Sequence, residues 1–182
     1  MKAAVINALV FQVGWLCCVL AGAHHLPWLG TLAALLIVSR HIATASVPRF
    51  ELLLILTAGA IGAVWDSLLV YAGWLTYPSG ILVDGTAPHW IVAMWLLFAT
   101  TLNVSLRFLK QRLLLAAVLG GIGGPLAYFA GYKLGGVQIP DFPVAMTALA
   151  VGWCVFMPLL MRLSEHLDGF SPVPAGPALT GW

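Results

Sequence analysis

One acidic residue stands inside a long apolar stretch and is the residue best suited to do chemistry. Asp66 lies in the run Leu52–Gly73, beside Trp65 and close to the small residues Gly59 and Gly62. A carboxylate at depth in a bilayer costs about 2.5–3.5 kcal/mol on insertion scales, so such a residue usually faces the protein interior and has a role. It could act as an acid, a base or a hydroxyl anchor. Alternatively, it is a hydrogen-bonded group that only fixes the helix register.

Several other side chains are predicted to lie near the level of Asp66. A rise of about 1.5 Å per residue along each helix brings Cys17, Trp95 and Tyr128 to that level and puts His89 just above it. Tyr128 could donate a hydrogen bond to the carboxylate, and His89 could be its cationic partner. The predicted ligand-binding residues are Asp66, Trp65, Trp95, Tyr128, His89 and Asn103, and the catalytic candidates among them are Asp66, Tyr128 and His89.

Asn103 belongs to a second polar segment. The stretch Phe98–Ser105 also carries Thr100 and Thr101, which is unusually polar for a membrane span. Polar side chains in such spans hydrogen-bond across helices, and we expect Asn103 to bond to the Gly120 region. A second polar site is the alternative.

The elements that must position these residues follow from composition. The chain is 62% hydrophobic and only 8% charged, and its mean hydropathy is +1.01. A soluble domain of 182 residues needs far more charge on its surface, so a bilayer is the predicted surrounding. The net charge of +2 is too small and dispersed to indicate nucleic-acid binding. We therefore predict an all-α, polytopic transmembrane bundle of about six helices.

Six apolar segments approach the length of about 20 residues that a span needs. They are Ala3–Gly22, Leu26–Val47, Leu52–Gly73, Trp90–Phe108, Leu113–Leu134 and Pro143–Met161. The second is the weakest, because Arg40 and His41 interrupt it. Residues 1–167 would form the transmembrane domain, and residues 168–182 a Pro-rich cytoplasmic tail that is predicted to be disordered.

The cationic residues predict the orientation. With the N-terminus inside, seven of the eight Lys and Arg residues fall on the cytoplasmic side, and only Lys133 falls outside. The positive-inside rule then puts both termini in the cytoplasm. The first segment also resembles a signal peptide cleaved near Ala21-Gly22-Ala23. Against cleavage, Gln12, Gly14 and Trp15 are typical of helix packing.

Three helical hairpins are suggested by a weak repeat. Each outward-going helix ends in Ala-Gly, and each returning helix begins near a proline and carries an arginine. Glycines are also grouped on helix faces, above all in the run Gly120–Pro125. They permit close helix crossings. A more specific interpretation is that the fifth helix breaks near mid-membrane and opens a cavity.

The longest outer connection, Trp74–His89, contains Tyr77 and no Lys or Arg. Its aromatic residues could form an interfacial belt or a lid over the level of Asp66. His24 and His25 could join His89 in a metal site, but adjacent histidines at a membrane surface are more often only interfacial. No metal and no cofactor is therefore predicted.

Several ordered motifs are similar to those of one family of small bacterial inner-membrane proteins. They are Trp65-Asp66-Ser67-Leu68-Leu69, Pro88-His-Trp, Trp95–Asn103 with Ser105-Leu106, and Gly120–Tyr128 with Ala130-Gly131 and Leu134-Gly135. Over nearly its whole length the chain resembles the domain-of-unknown-function family numbered twenty-eight seventy-eight. The resemblance implies a bacterial inner-membrane location. It implies no activity and no catalytic residue.

Three functions remain open at this point, and so does the question of whether the protein is an enzyme. The leading hypothesis is a protein that binds or modifies an apolar, lipid-like molecule in an outward-half pocket around Asp66. The second is a small transporter or proton-coupled permease, which predicts a polar route from Asp66 to Asn103. The third is a non-catalytic accessory subunit of a membrane complex. The expected partners are the bilayer, a lipid-like molecule and another membrane protein, but not nucleic acid.

Overall fold

The computed structural model describes residues 2–171. These residues form six α-helices, which confirms the predicted all-α bundle. The helices are α1 (Lys2–Ala23), α2 (Pro27–Thr44), α3 (Pro48–Tyr71), α4 (His89–Ala99), α5 (Leu113–Lys133) and α6 (Phe142–His166). Residues 172–182, most of the predicted Pro-rich tail, lie outside the described residues.

Four of the helices, α1, α3, α5 and α6, are long and apolar enough to cross a membrane. The chain is accordingly a membrane protein. Helix α2 has 18 residues and carries Arg40 and His41 near its end. Helix α4 has only 11 residues, or about 16 Å of rise, roughly half the thickness of the hydrocarbon core. Both shorter helices pack against longer neighbours, α2 on α1 and α4 on α3.

The predicted fourth span, Trp90–Phe108, is wrong in its second half, because the helix ends at Ala99. The hydroxyl groups of Thr100 and Thr101 donate to the carbonyl oxygens of Leu97 and Phe98, at 2.7 Å each. Such local bonds compete with helical backbone bonds. The chain then continues through turns and a short 3-10 helix, Arg107–Leu109.

The bundle has two ends, which we name by what they carry. Consecutive helices pack as three pairs, α1 with α2, α3 with α4, and α5 with α6. The loop end carries the connections 24–26, 72–88 and 134–141, two of which are joined by a backbone bridge between Thr76 and Gln138. The terminal end carries residues 45–47, 100–112 and 168–171, where Val47 N–H donates to the Gly169 carbonyl.

Helix α5 runs without interruption through Pro125, so the predicted mid-membrane break does not occur. The glycines of this helix instead allow a close crossing with α6. A methyl group on Gly120 would overlap Met157, and one on Gly124 would overlap the ring of Trp153. Gly123 differs from both, because a methyl group there would meet open space.

Candidate functional site

Asp66 accepts hydrogen bonds from three aromatic side chains. Its Oδ1 accepts from the hydroxyl of Tyr128 at 2.5 Å and from that of Tyr77 at 3.3 Å. Its Oδ2 accepts from Trp95 Nε1 at 2.6 Å. The carboxylate itself is fully buried. The structure therefore brings together three predicted site residues, Asp66 of α3, Trp95 of α4 and Tyr128 of α5.

Gly62 is the residue that lets Trp95 reach the carboxylate. It lies one helical turn before Asp66 on α3, and a methyl group on it would overlap the Trp95 ring. The ring can lie this close to the α3 backbone only because Gly62 has no side chain. On its other side, the Trp95 ring stacks on Trp153 with 4.8 Å between ring centroids.

We expect Gly62→Ala to destabilise the protein by about 1–3 kcal/mol, the usual cost of overpacking a tight contact. Trp95 would have to move away from α3, which would weaken its bond to Asp66. Thermal unfolding in detergent measures the effect. Gly123→Ala is the matched control, because its methyl group meets open space and alanine favours a helix. Equal stability of the two variants would contradict the assigned role of Gly62.

A cavity of about 510 Å³ lies beside this cluster. Its wall includes all three donors to Asp66, namely Tyr77, Trp95 and Tyr128, but not Asp66 itself. The carboxylate thus lies behind an aromatic wall and holds that wall in position. Apart from Gln12, the rest of the lining is apolar or aromatic and comes mainly from α1, α4 and α5.

The cavity opens sideways between helices α1 and α5. Of its lining residues, those with exposed side chains or backbone lie on these two helices. They are Gln12 on α1 and Leu119, Gly123, Leu126 and Ala127 on α5. Because both helices are long and apolar enough to span a membrane, the opening faces the level of the lipid chains.

Two predicted site residues lie away from the cluster. His89 Nδ1 is 2.7 Å from the Thr31 hydroxyl oxygen, and the His89 ring stacks on Trp28 with 3.9 Å between centroids. His89 is therefore not the cationic partner of Asp66.

Trp65 also lies away from the Asp66 cluster. It packs against Gly152 and Phe156 of α6, and its Nε1 is buried without a described partner. Cys17, which was expected at the same level, is exposed.

Asn103 is part of a separate polar cluster at the terminal end. Its Nδ2 donates to Glu51 Oε1 at 2.5 Å and to the Leu167 carbonyl at 2.9 Å. The expected bond to the Gly120 region is therefore wrong. Glu51 is fully buried, and its Oε2 lies 2.9 Å from His41 Nε2. Asn103 belongs to this second cluster and not to the cavity wall.

The residues 168–171, which we call the C-terminal strap, close the terminal end. Gly169 N–H donates to Glu51 Oε1 at 3.0 Å. Asp168 pairs with Arg107 at 2.7 Å and with Lys110 at 2.8 Å. Residues 168–171, which were predicted to belong to the disordered tail, are therefore held against the bundle by hydrogen bonds and ion pairs.

The charge state of Asp168 follows from these contacts. Burial alone would raise the pKa of its carboxyl group, but hydrogen bonds from Lys110, Ser171 and the Phe170 N–H outweigh it. The pKa of Asp168 therefore lies below its ordinary value. An ionised Asp168 is the form that pairs with both cationic side chains.

The sequence prediction missed the direct bond from Tyr77 and the partners of Asn103. Tyr77 was expected only in a belt or a lid, since a loop residue has no helical register from which its neighbour can be inferred. For Asn103, the sequence carries a signal in Glu51 and His41. Both are ionisable residues at the ends of apolar segments, and such residues usually find one another or another polar partner.

Comparison with known proteins gives one match. Residues 4–159 match the model of a family described as "Protein of unknown function (DUF2878)". No curated protein and no solved structure shows a significant match.

Proposed function

Because the chain belongs to this family of proteins of unknown function, we propose its function from the cavity itself: the protein binds one elongated, lipid-like molecule that enters sideways from the bilayer. The observation that carries the proposal is the cavity of about 510 Å³ with its rim between α1 and α5. Pockets of about 300–1,000 Å³ with mostly apolar walls are typical of small-molecule sites.

The aromatic wall supports binding by a rigid, preformed site. Tyr77, Trp95 and Tyr128 are each fixed by a hydrogen bond to Asp66. Side chains that are held before a ligand arrives lose little conformational entropy when it binds, which favours affinity. In this proposal Asp66 is a positioning residue for the wall. A catalytic role of Asp66 would require the wall to open.

The competing hypotheses have less support. A transporter was expected to have a polar route from Asp66 to Asn103. Within residues 2–171 the two polar clusters share no hydrogen bond, and the cavity is lined mainly by apolar and aromatic side chains. An accessory subunit would use small-residue faces as partner surfaces. The glycines that were expected there, such as Gly62 and Gly120, are occupied by contacts within the chain.

The proposed location is the bacterial inner membrane, with the terminal end in the cytoplasm. Support for this orientation comes from exposed basic side chains at that end. Arg40, Arg49, Arg112 and Arg162 are the exposed arginines, and positive charge favours the cytoplasmic side.

Filling the cavity tests the proposal. In Gly123→Phe the new side chain starts in open space and occupies the mouth of the cavity. We expect the amount of lipid-like molecule that co-purifies with the protein to fall at least about tenfold, a loss of about 1.4 kcal/mol or more. Quantitative mass spectrometry of organic extracts, per mole of protein, measures it.

Ile122→Phe is the matched control, since Ile122 is exposed on the same helix but does not line the cavity. It should retain the wild-type amount, and both variants should keep the wild-type unfolding temperature. If Gly123→Phe retains as much bound molecule as Ile122→Phe, the cavity is not the binding site.

A further inference from the structure

We propose that the molecule bound in this cavity carries a neutral carbonyl oxygen, which is recognised at mid-membrane by Gln12 and Trp15 of α1. The inference rests on the proposed function and adds to it the chemical class of the ligand. It starts from the hydrogen-bonding capacity that the cavity wall leaves unused.

Most polar hydrogens of the wall are already engaged. The donors of Tyr77, Trp95 and Tyr128 are directed at Asp66. Trp90 Nε1 donates to the Ser79 carbonyl at 3.0 Å, and Trp153 Nε1 is sealed from the cavity by burial. These groups offer a ligand no free side-chain N–H or O–H donor.

Gln12 and Trp15 are the exceptions on the wall. They lie three residues apart on α1 and therefore on the same helix face, and both line the cavity. Within residues 2–171 the Gln12 carboxamide and Trp15 Nε1 form no hydrogen bond. Trp15 Nε1 is also not among the fully buried nitrogens that lack a partner, so part of its surface remains accessible.

The depth of these two groups makes their unused capacity costly. Helix α1 runs from Lys2 to Ala23, so Gln12 lies about 15 Å from either end. That is the middle of a hydrocarbon core about 30 Å thick. An amide that finds no partner in such a medium costs several kcal/mol. A ligand oxygen in the cavity would supply the missing partner.

The donor set defines the chemistry of that oxygen. An indole N–H only donates, whereas a carboxamide both donates and accepts. A carbonyl oxygen has two lone pairs and can accept from both side chains at once. A glycerophospholipid carries its ester carbonyls near its headgroup, far from the midplane. We therefore infer a neutral lipid that lies wholly among the chains, such as a long-chain ketone, an ester or a quinone.

A competition between matched probes tests this inference. The purified full-length protein in detergent is loaded with equal amounts of 10-nonadecanone and nonadecane. The ratio of the two in the protein fraction is compared with the ratio in empty micelles. Two hydrogen bonds to the carbonyl should enrich the ketone about five- to tenfold.

The variants Gln12→Leu and Trp15→Phe remove one partner each. Each substitution should lower the ketone-to-nonadecane ratio about two- to fivefold, because the other hydrogen bond remains, and the double variant should bring the ratio close to that of empty micelles. Gln138→Leu, at an exposed glutamine outside the cavity, is the matched control and should keep the wild-type ratio.

A spectroscopic measurement separates recognition from a change in packing. With a ¹³C-labelled carbonyl, the infrared stretching band of the bound ketone should lie at lower wavenumber than in micelles, because hydrogen bonding weakens the C=O bond. In Gln12→Leu the band should shift back towards the micelle position. An unshifted band in the wild-type protein would contradict the proposal.

The outcomes distinguish this inference from the proposed function. Retention of both probes without discrimination, or discrimination that survives both substitutions, overturns only the carbonyl assignment. Retention of neither probe above empty micelles, with no difference between wild type and Gly123→Phe, overturns the binding function as well. The same competition with decyl nonanoate and with a decyl-benzoquinone then assigns the class of the ligand. If none of the carbonyl probes is enriched in a way that depends on Gln12, the proposal is contradicted.

Discussion

Replacing Asp66 by leucine is expected to lower the free energy of unfolding by about 3–5 kcal/mol, as when one partner is removed from a buried polar network. The substitution leaves the donors of Tyr77, Trp95 and Tyr128 without their acceptor at a fully buried position. Thermal and denaturant unfolding in one defined detergent measure the loss. The co-purifying lipid-like molecule should fall as well, since the cavity wall loses its anchor.

Asp66→Asn is the informative companion variant. Its amide keeps one oxygen for the Tyr128 hydroxyl, but it puts an N–H₂ group where Asp66 Oδ2 now accepts from Trp95. We therefore expect an intermediate loss, with Trp95 displaced more than Tyr128. Wild-type stability of Asp66→Leu would show that the three contacts do not hold the wall. If Asp66→Asn leaves the membrane lipid profile of cells unchanged, the catalytic hypothesis for Asp66 is excluded.

Replacing Glu51 by alanine is expected to have the second large effect, again about 3–5 kcal/mol of unfolding free energy. Glu51 is fully buried and is the common partner of His41, Asn103 and the Gly169 N–H. Its removal takes away the acceptor of the Gly169 N–H and one of the two acceptors of Asn103 Nδ2 at the terminal end of the bundle. Thermal unfolding measures the loss.

The C-terminal strap supplies a second measurement for this variant. Because Gly169 is held by Glu51, residues 168–171 should become accessible to a carboxypeptidase in Glu51→Ala well below the unfolding temperature. Glu165→Ala is the matched control. Among residues 2–171, Glu165 bonds only to Arg162 and to the Gln111 N–H at the surface, where substitutions usually change stability by less than about 0.5 kcal/mol. Equal protection of the strap in both variants would contradict its attachment through Glu51.

The sequence alone determined that the protein lies in a membrane, which fold class it has and which residues form the centre of the polar cluster. Its low charge and long apolar runs require a membrane, and in lipid a chain without a closed barrel must satisfy its backbone through helices. The constant rise of a helix also fixed depth, so Asp66, Trp95 and Tyr128 were correctly expected at one level. Depth depends only on counting residues, and for that reason it could be predicted.

Tertiary structure decided which groups at one level meet. The rotation of each helix about its axis depends on side-chain packing between neighbours, such as Trp95 against Gly62. The sequence does not give this rotation, so it could not show that His89 points away from Asp66. The early end of α4 depended on Thr100 and Thr101 bonding back to their own turn. Tyr77 reached Asp66 through a loop with no periodic register. The cavity beside the buried carboxylate is lined by residues of several helices and of the connections between them, so no property of one helix predicts it.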